Sequence, residues 1–359
     1  MIEKLELKNF TKFANLSGDQ AINFSSKINI IIGENGTGKT HLLKASYALA
    51  SALRTREVKA DPSNEAVVAA VTQKLLSVFM PLEAKLGKLR LHGAGTDRAE
   101  IKATFASDQS IGVSFSTNSK SVVVDESRRY TEYNEAPVFI PTKEVLSFMK
   151  GFVSLYETYG LSFDQTYQDI CVRLDLPEVR PETLHEKSKW AVAEIETICD
   201  GRFVFYGGGN VTFKAGDAEY SANVIAEGFR KIGMLARLLQ TGSIQPGISG
   251  PLFWDEPETN MNPKLMKLLV QILLELSRNG QQIVLATHDY VLLKWFDLLQ
   301  DKGKGDHVRF HALYRDSDTG EVKLESTDDY LAITPNAIAD TFNDLTKEQV
   351  RLKMGNLGK

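Results

Sequence analysis

Short apolar runs separated by polar turns dominate the first third of the chain and predict β-strands. Ile2, Leu5 and Leu7 recur near strand spacing, and the unbroken run 28–32 is typical of a strand buried on both faces. Residues 101–105 and 111–115 alternate apolar and polar side chains, with Ser, Asp and Asn turns beside them. We therefore expect a buried strand at 28–32 and an antiparallel meander that flanks the sheet to which this strand belongs.

Helical spacing predominates in other parts of the chain. Helices are predicted at 41–53, 65–86 and 227–239, and 144–199 reads as helical with breaks near Gly160 and at 176–181. The Gly-rich residues 207–210 predict a hairpin turn. We expect an α/β protein whose core is built from residues 1–143 and 201–359, with an inserted helical lobe at 144–200.

The strand at 28–32 leads into the pattern GxxxxGK(S/T), which residues 33–40 match without a mismatch. Glycines let main-chain N–H groups converge on phosphates, and the following helix adds the positive end of its dipole. Lys39 is expected to reach the β- and γ-phosphates, and Thr40 to place its hydroxyl on Mg²⁺. The predicted nucleotide-binding residues are Gly33, Glu34, Asn35, Gly36, Thr37, Gly38, Lys39, Thr40 and His41.

A second chemical centre follows about 215 residues beyond Lys39, where the short apolar run 252–254 ends in Asp255 and Glu256. In phosphate-loop proteins a strand of this kind carries the metal carboxylate. Asp255 is therefore predicted to hold Mg²⁺, and Glu256 to polarise the attacking water. The next buried strand, 282–286, leads to His288, which we expect to contact the γ-phosphate.

Composition narrows the class of protein. The chain has 359 residues, of which 43% are hydrophobic and 25% charged, and it has no apolar run long enough for a membrane span, so a cytoplasmic protein without a membrane partner is expected. A net charge of -4 gives no overall attraction to nucleic acid. DNA remains possible only through local basic clusters, at Lys85, Lys88 and Arg90 or at Arg128 and Arg129. Cys171 and Cys199 are expected to be reduced and without a metal.

These motifs resemble the ATP-binding-cassette (ABC) ATPases of the Rad50, SMC, RecF and OLD-like branch. Residues 5–10 and 29–36 are similar to the first strand and Walker A motif of that branch, and 255–263 are similar to its Walker B motif and D-loop. The resemblance covers both ends, about half of the chain. It implies a P-loop NTPase fold of the ABC-ATPase head type, with Glu256 as hydrolytic base and His288 as switch histidine. It also implies a head-to-tail dimer that encloses two ATP molecules.

Such a dimer needs a signature segment, for which residues 226–231 are the candidate. Gly228 would then bind the nucleotide of the partner, although the serine common in the family is Ala226 here. The alternative is an ordinary amphipathic helix with Ile232, Leu235 and Leu239 turned inward. No glutamine loop is identified, and the block 139–144, which is similar to a block in OLD-like ATPases, has no assigned role.

The same resemblance extends to the ATPase subunits of bacterial anti-phage systems such as PARIS and Septu. It implies an ATP-hydrolysing switch that forms dimers or higher homo-oligomers and controls a separately encoded nuclease or toxin. One alternative is a DNA-associated repair ATPase similar to RecF. Another is a scaffold that binds ATP with slow turnover, which Ala226 favours.

Overall fold

The computed structural model describes residues 1–54, 64–93, 95–128 and 136–355. Its α-helices are α1 (Lys39–Ala52), α2 (Asn64–Phe79), α3 (Phe152–Tyr159), α4 (Gln165–Leu174), α5 (Glu186–Cys199), α6 (Glu227–Gln240), α7 (Pro263–Arg278), α8 (Tyr290–Leu299) and α9 (Ala337–Gly355). Its strands are β1 (Ile2–Phe10), β2 (Phe13–Leu16), β3 (Ile22–Asn23), β4 (Ile28–Gly33), β5 (Ala99–Phe105), β6 (Gln109–Phe115), β7 (Val123–Arg128), β8 (Val138–Ile140), β9 (Arg202–Phe205), β10 (Val211–Ala215), β11 (Ala218–Ser221), β12 (Leu252–Asp255), β13 (Ile283–Ala286), β14 (Val308–Arg315) and β15 (Val322–Thr327).

The central sheet has the order β15-β14-β4-β13-β12-β8. Five of these strands run parallel, and β15 is an antiparallel edge strand, so the sheet is mixed. The strands β4, β12 and β13 are buried on both faces, as their continuous apolar sequences require. Because parallel strands end at the same edge, the segments that follow β4, β13, β12 and β8 meet at one side of the molecule.

An antiparallel sheet of β2-β1-β5-β6-β7, with β3 paired to β1, packs on one side of the central sheet. Helix α1 lies between the two sheets, and its Leu42, Leu43 and Leu49 share a core with Phe253 of β12. The predicted antiparallel flank is confirmed. The meander strands are longer than the sequence indicates, because residues 99–100 and 109–110 continue the hydrogen-bonded ladder.

Helices cover the opposite face of the central sheet. Trp254 of β12, Leu235 of α6 and Leu269 of α7 belong to one core that also takes in Ile170 of α4 and Ile195 of α5. The three helices between residues 152 and 199 therefore share their core with the C-terminal part of the chain. The division at 143 and 200 remains a prediction.

The second antiparallel sheet has the order β11-β10-β9. Residues 207–210 form the predicted hairpin turn between β9 and β10, with Tyr206 N donating to Asn210 O at 3.0 Å. The turn at 315–320 likewise joins the β14–β15 hairpin.

The helix predicted at 65–86 is too long. It ends at Phe79, because Met80 has a φ of 46° and Pro81 follows it, and neither conformation continues a helix. Cys171 and Cys199 are buried free thiols, and burial raises the pKa of each to about 12. Within the described residues, no helix combines the length and the apolar character that crossing a bilayer would need. Arg129 lies outside the described residues.

Candidate nucleotide site

The phosphate loop follows β4 and has a conformation that only glycine adopts easily. Gly36 and Gly38 have φ of 82° and 100°, in the left-handed region. A Cβ at Gly38 would lie 2.7 Å from Phe13 Cζ, and one at Gly33 would lie 2.4 Å from Leu313 O. The glycines of the motif are therefore required both by backbone conformation and by close packing.

The loop ends in the first turn of α1, whose N-cap is Gly38. The first helical bond is donated by Leu42 N to Gly38 O at 2.9 Å, so the N–H groups of Lys39, Thr40 and His41 have no partner within the helix. Such a turn is an anion-binding site because its N–H groups and helix dipole both favour negative charge.

Lys39 lies inside the loop. Its Nζ donates to Gly33 O at 2.8 Å and to Glu34 O at 3.2 Å. Burial lowers the pKa of Lys39, whereas the nearby carboxylates of Glu256 and Asp255 act to raise it. The ammonium is thus held at the loop mouth, between the loop carbonyls and the acids.

His41 was predicted to contact nucleotide, and its ring is turned away from the loop. The ring packs edge-on against Phe79, with centroids 5.8 Å apart, and burial lowers the pKa of His41 to about 4. A nucleotide contact from His41 would therefore come from its main-chain N–H. Asn35 is exposed at the tip of the loop, and Thr37 Oγ1 donates to Glu34 O at 2.9 Å.

The two predicted metal ligands are in direct contact across the sheet edge. Thr40 Oγ1 donates to both oxygens of Asp255, at 2.9 and 3.1 Å, and Thr142 Oγ1, after β8, donates to Asp255 Oδ2 at 2.9 Å. Asp255 is only 4% exposed. Burial raises the pKa of its carboxyl, and the hydrogen bonds from Thr142 and Thr40 act in the opposite direction.

This oxygen set fits Mg²⁺ in the presence of nucleotide. Magnesium bound with phosphates needs few protein ligands, typically one or two carboxylates or hydroxyls. The described residues contain no cluster of three or more His, Cys, Asp or Glu side chains that would form an all-protein metal cage. Thr40 and Asp255 are the residues that would hold the ion.

Glu256 and His288 also lie together. Glu256 N donates to Ala286 O at 2.9 Å, which ties the end of β12 to the end of β13, and His288 Nδ1 lies 3.2 Å from Glu256 Oε1. Glu256 has a φ of 48°, an uncommon conformation for a side chain of this size. Unusual backbone conformations of this kind concentrate at functional sites.

Sequence reasoning missed three residues of this site: Thr142, Lys231 and Glu258. Lys231 of α6 is completely buried, and its Nζ donates to Glu256 O at 2.7 Å. Burial lowers the pKa of Lys231 to about 8, against the effect of Glu258 and other acids. The unassigned block at 139–144 was a signal for Thr142, and the third acid of the Asp-Glu-Pro-Glu run was a signal for Glu258.

The atoms nearest to a Cβ added at Gly228 belong to Asn260, Met261 and Leu265, and none of them is in the phosphate loop. Gly228 is in the first turn of α6 and packs against the segment after β12, where an added Cβ would lie 2.9 Å from Asn260 O. Ala226, the N-cap of α6, makes no side-chain capping bond. Within the described residues, no hydrogen bond joins 226–228 to 33–40.

Two protein families match this chain, one over each part of the site. Residues 4–149 match the family described as "AAA domain", and residues 171–294 match the family described as "AAA domain, putative AbiEii toxin, Type IV TA system". The first match contains the phosphate loop, and the second contains Gly228, Asp255, Glu256 and His288.

Relatives among well-described proteins match only a short stretch. The chain is 43% identical over 51 residues to the DNA replication and repair protein RecF of Bacillus cytotoxicus, which covers 14% of this chain and 13% of that protein. RecF of Bacillus thuringiensis matches at the same identity over the same length, 12% of that protein. The match thus covers a small fraction of the length of either relative.

Solved structures match over nearly the whole chain. The SMC head bound to the C-terminal winged-helix domain of ScpA has a TM-score of 0.54 at 15% identity, covering 91% of this chain and 97% of that one. The SMC head with an extended coiled coil, bound to the C-terminal domain of ScpA from Pyrococcus furiosus, has a TM-score of 0.50 at 13% identity, covering 97% and 99%. These likenesses show the fold, an α/β P-loop fold of the SMC and ABC head type. The two family matches add a likeness to AAA-domain families over residues 4–149 and 171–294, the two parts of the chain that carry the candidate nucleotide site.

Proposed function

We propose that this P-loop ATPase is a nucleotide-driven molecular switch that hydrolyses ATP, pairs with a second copy of itself and controls a separately encoded effector. The observation that carries the hydrolytic part is the contact of Glu256 Oε1 with His288 Nδ1 at 3.2 Å, beside the Thr40–Asp255 pair. These four side chains come from the ends of two neighbouring strands, β12 and β13, and from the start of α1. They surround the mouth of the phosphate loop.

The chemistry assigns a role to each residue. Glu256 accepts a proton from the water that attacks the γ-phosphorus, and the bond from that phosphorus to the β-bridging oxygen breaks, leaving ADP and phosphate. Lys39 and the N–H groups of the first turn of α1 stabilise the negative charge on the phosphates, and His288 contacts the γ-phosphate. Mg²⁺ held by Thr40 and Asp255 would draw charge from the β- and γ-phosphate oxygens.

Assembly is proposed because the start of α6 packs on the segment after β12 and, among the described residues, makes no main-chain hydrogen bond to the phosphate loop. The N–H groups near Gly228 begin a helix whose N-cap side chain satisfies none of them. In a head-to-tail pair, this turn would face the nucleotide of the second copy and complete its site. ATP binding would then favour the pair, and hydrolysis would release it.

Control of an effector rests on the family matched by residues 171–294, whose description places it among toxin–antitoxin systems. We propose a separate nuclease or toxin subunit as the partner, in defence against phage. A second candidate is a DNA-associated repair ATPase, which the short RecF match favours. That function would need a basic surface, and one of the basic groups available for it, Lys85, is paired with the carboxylate of Glu83.

Phosphate release by a Glu256→Gln variant tests the proposal. Loss of a general base costs about 10²–10⁴-fold in rate, so turnover should fall by at least a hundredfold while ATP binding persists and the dimer accumulates. Glu182→Gln, an exposed site in the helical region, is the matched control. Unchanged turnover in Glu256→Gln would refute the assignment. Salt-sensitive binding of duplex DNA by the isolated chain would favour the repair function instead.

A further inference from the structure

A second carboxylate lies beneath the proposed hydrolytic pair and is almost completely buried. Glu258 is 5% exposed and follows Glu256 by two residues. Its Oε1 accepts hydrogen bonds from Thr287 Oγ1 at 2.6 Å and from His288 N at 3.2 Å. One carboxylate oxygen therefore joins the turn after β12 to the segment after β13.

This link begins where the strand pairing ends. The last paired residues of β12 and β13 are Asp255 and Ala286. Beyond them, the segment after β12 forms a turn and the segment after β13 leads into α8. Thr287 Oγ1, which donates to Glu258, also accepts from Asp289 N at 3.0 Å. Asp289 in turn caps α8 by accepting from Leu292 N at 2.7 Å. The conformation around His288 thus depends on the position of the Glu258 carboxylate.

The turn that carries Glu258 is itself held in place. Lys231 Nζ donates to Glu256 O at 2.7 Å and to Thr259 O at 3.4 Å, on either side of Glu258. The other carboxylate oxygen, Glu258 Oε2, is buried and has no hydrogen-bond partner. Burial of a carboxylate oxygen without a hydrogen-bond partner lowers the stability of the fold. Because Glu258 is kept at this cost, we look for a role of its carboxylate other than packing.

We propose that Glu258 is a positioning residue for the ATP hydrolysis proposed above: it fixes His288 next to Glu256 without touching the nucleotide. The inference rests on that proposed function. It depends on the acceptor oxygen of Glu258, because both bonds to the His288 segment end on Oε1. A displacement of about 1 Å in a catalytic group costs on the order of a hundredfold in rate, so a loose His288 would lower kcat.

Steady-state ATP hydrolysis by two variants of Glu258 tests this inference. Glu258→Gln keeps an acceptor oxygen in place and should retain kcat within about threefold, whereas Glu258→Met removes it and should lower kcat by about tenfold to a hundredfold with KM for ATP unchanged. Asp306→Asn is the matched control, because Asp306 is also a buried carboxylate but pairs with Arg278 away from the site. It should lower stability without this loss of kcat.

Thr287 tests the same link from the other side. Thr287→Val removes the donor to Glu258 and should lower kcat, and Thr287→Ser keeps the hydroxyl and should not. These variants keep the Glu258 carboxylate, so they remain informative if Glu258→Met does not fold.

Combination with His288→Ala separates positioning from general destabilisation. If Glu258 acts through His288, Glu258→Met or Thr287→Val should cause no further loss of kcat in the His288→Ala background. An equal loss in both backgrounds, or normal kcat in the single variants, would overturn the inference. If Glu256→Gln abolishes turnover while Glu258→Met and Thr287→Val remain fully active, only this inference fails. If Glu256→Gln is fully active, the proposed function fails as well.

Discussion

Replacement of Gly228 by alanine tests whether the start of α6 is a nucleotide-facing segment or only a packed helix. The added Cβ would lie 2.9 Å from Asn260 O and 3.3 Å from Met261 Cα. Both atoms belong to the main chain and cannot rotate away. The start of α6 and the segment after β12 must therefore move apart.

Two effects of opposite sign determine how much Gly228→Ala changes the free energy of unfolding. Alanine is favoured over glycine inside a helix by about 0.5–1 kcal/mol. Forcing an extra methyl group into a packed interior costs about 1–3 kcal/mol. Because both close contacts are with the main chain, the steric effect should dominate. We expect the free energy of unfolding to fall by about 1 kcal/mol and the melting temperature by about 2 °C.

Stability is measured by urea unfolding, and assembly by light scattering with ATP in the Glu256→Gln background. If the start of α6 contacts the nucleotide of a second copy, Gly228→Ala should also lose ATP-dependent dimerisation. Gly233→Ala is the matched control, since its Cβ would lie 2.4 Å from the Phe203 ring, further along the same helix. Equal destabilisation and normal dimerisation in both variants would refute the nucleotide-facing role. Unchanged stability in Gly228→Ala would refute the packing argument.

Three further predictions follow from the described contacts. Ala226→Ser supplies the missing cap of α6 and should raise the free energy of unfolding by about 0.5–2 kcal/mol; a urea midpoint that does not rise would contradict this. Thr142→Val removes a hydrogen bond to the buried Asp255 and should lower the free energy of unfolding by about 1–3 kcal/mol in the same assay, while Thr142→Ser should not. Burial lowers the pKa of His311 to about 3, so the unfolded chain, with an ordinary histidine pKa near 6.5, binds the proton first and stability is lost as the pH falls from about 6.5 towards 3. Between pH 7 and pH 5 the free energy of unfolding should therefore fall by about 2 kcal/mol more in the unmodified protein than in His311→Gln. Equal falls in the two proteins would contradict the lowered pKa of His311.

The local elements around the phosphate loop could be predicted from the sequence because their causes are local. Gly36 and Gly38 have positive φ, which the sequence signals by glycine itself. The start of α7 was predictable for the same reason, since Asn262 caps it by accepting from Lys264 N at 2.8 Å. The prediction of a helix over 65–86 was wrong at its C-terminal end, because the apolar periodicity continues past Met80, where the backbone turns.

Contacts between distant parts of the chain were predictable only where a known motif applied. Thr40 and Asp255 were both expected at Mg²⁺ because phosphate-loop proteins use these two motifs to hold it, and the two side chains are in contact. Thr142 was missed because nothing in the sequence states that β8 lies beside β12. The division of the chain at 143 and 200 stays a prediction. Periodicity did not show that Ile170 and Ile195 share a core with Leu235, because an apolar helix face does not specify the element against which it packs.

The sequence by itself determined the chemical groups: a glycine-rich phosphate loop, a strand ending in two acids, and a histidine after the next strand. Tertiary structure alone decided how these groups are supported, through Glu258 on the His288 segment and Lys231 on the turn that holds Glu256. The physical reason is the sequence separation over which each effect acts. Backbone conformation and periodicity depend on neighbouring residues, whereas a buried hydrogen bond depends on which segments the whole fold brings within about 3 Å.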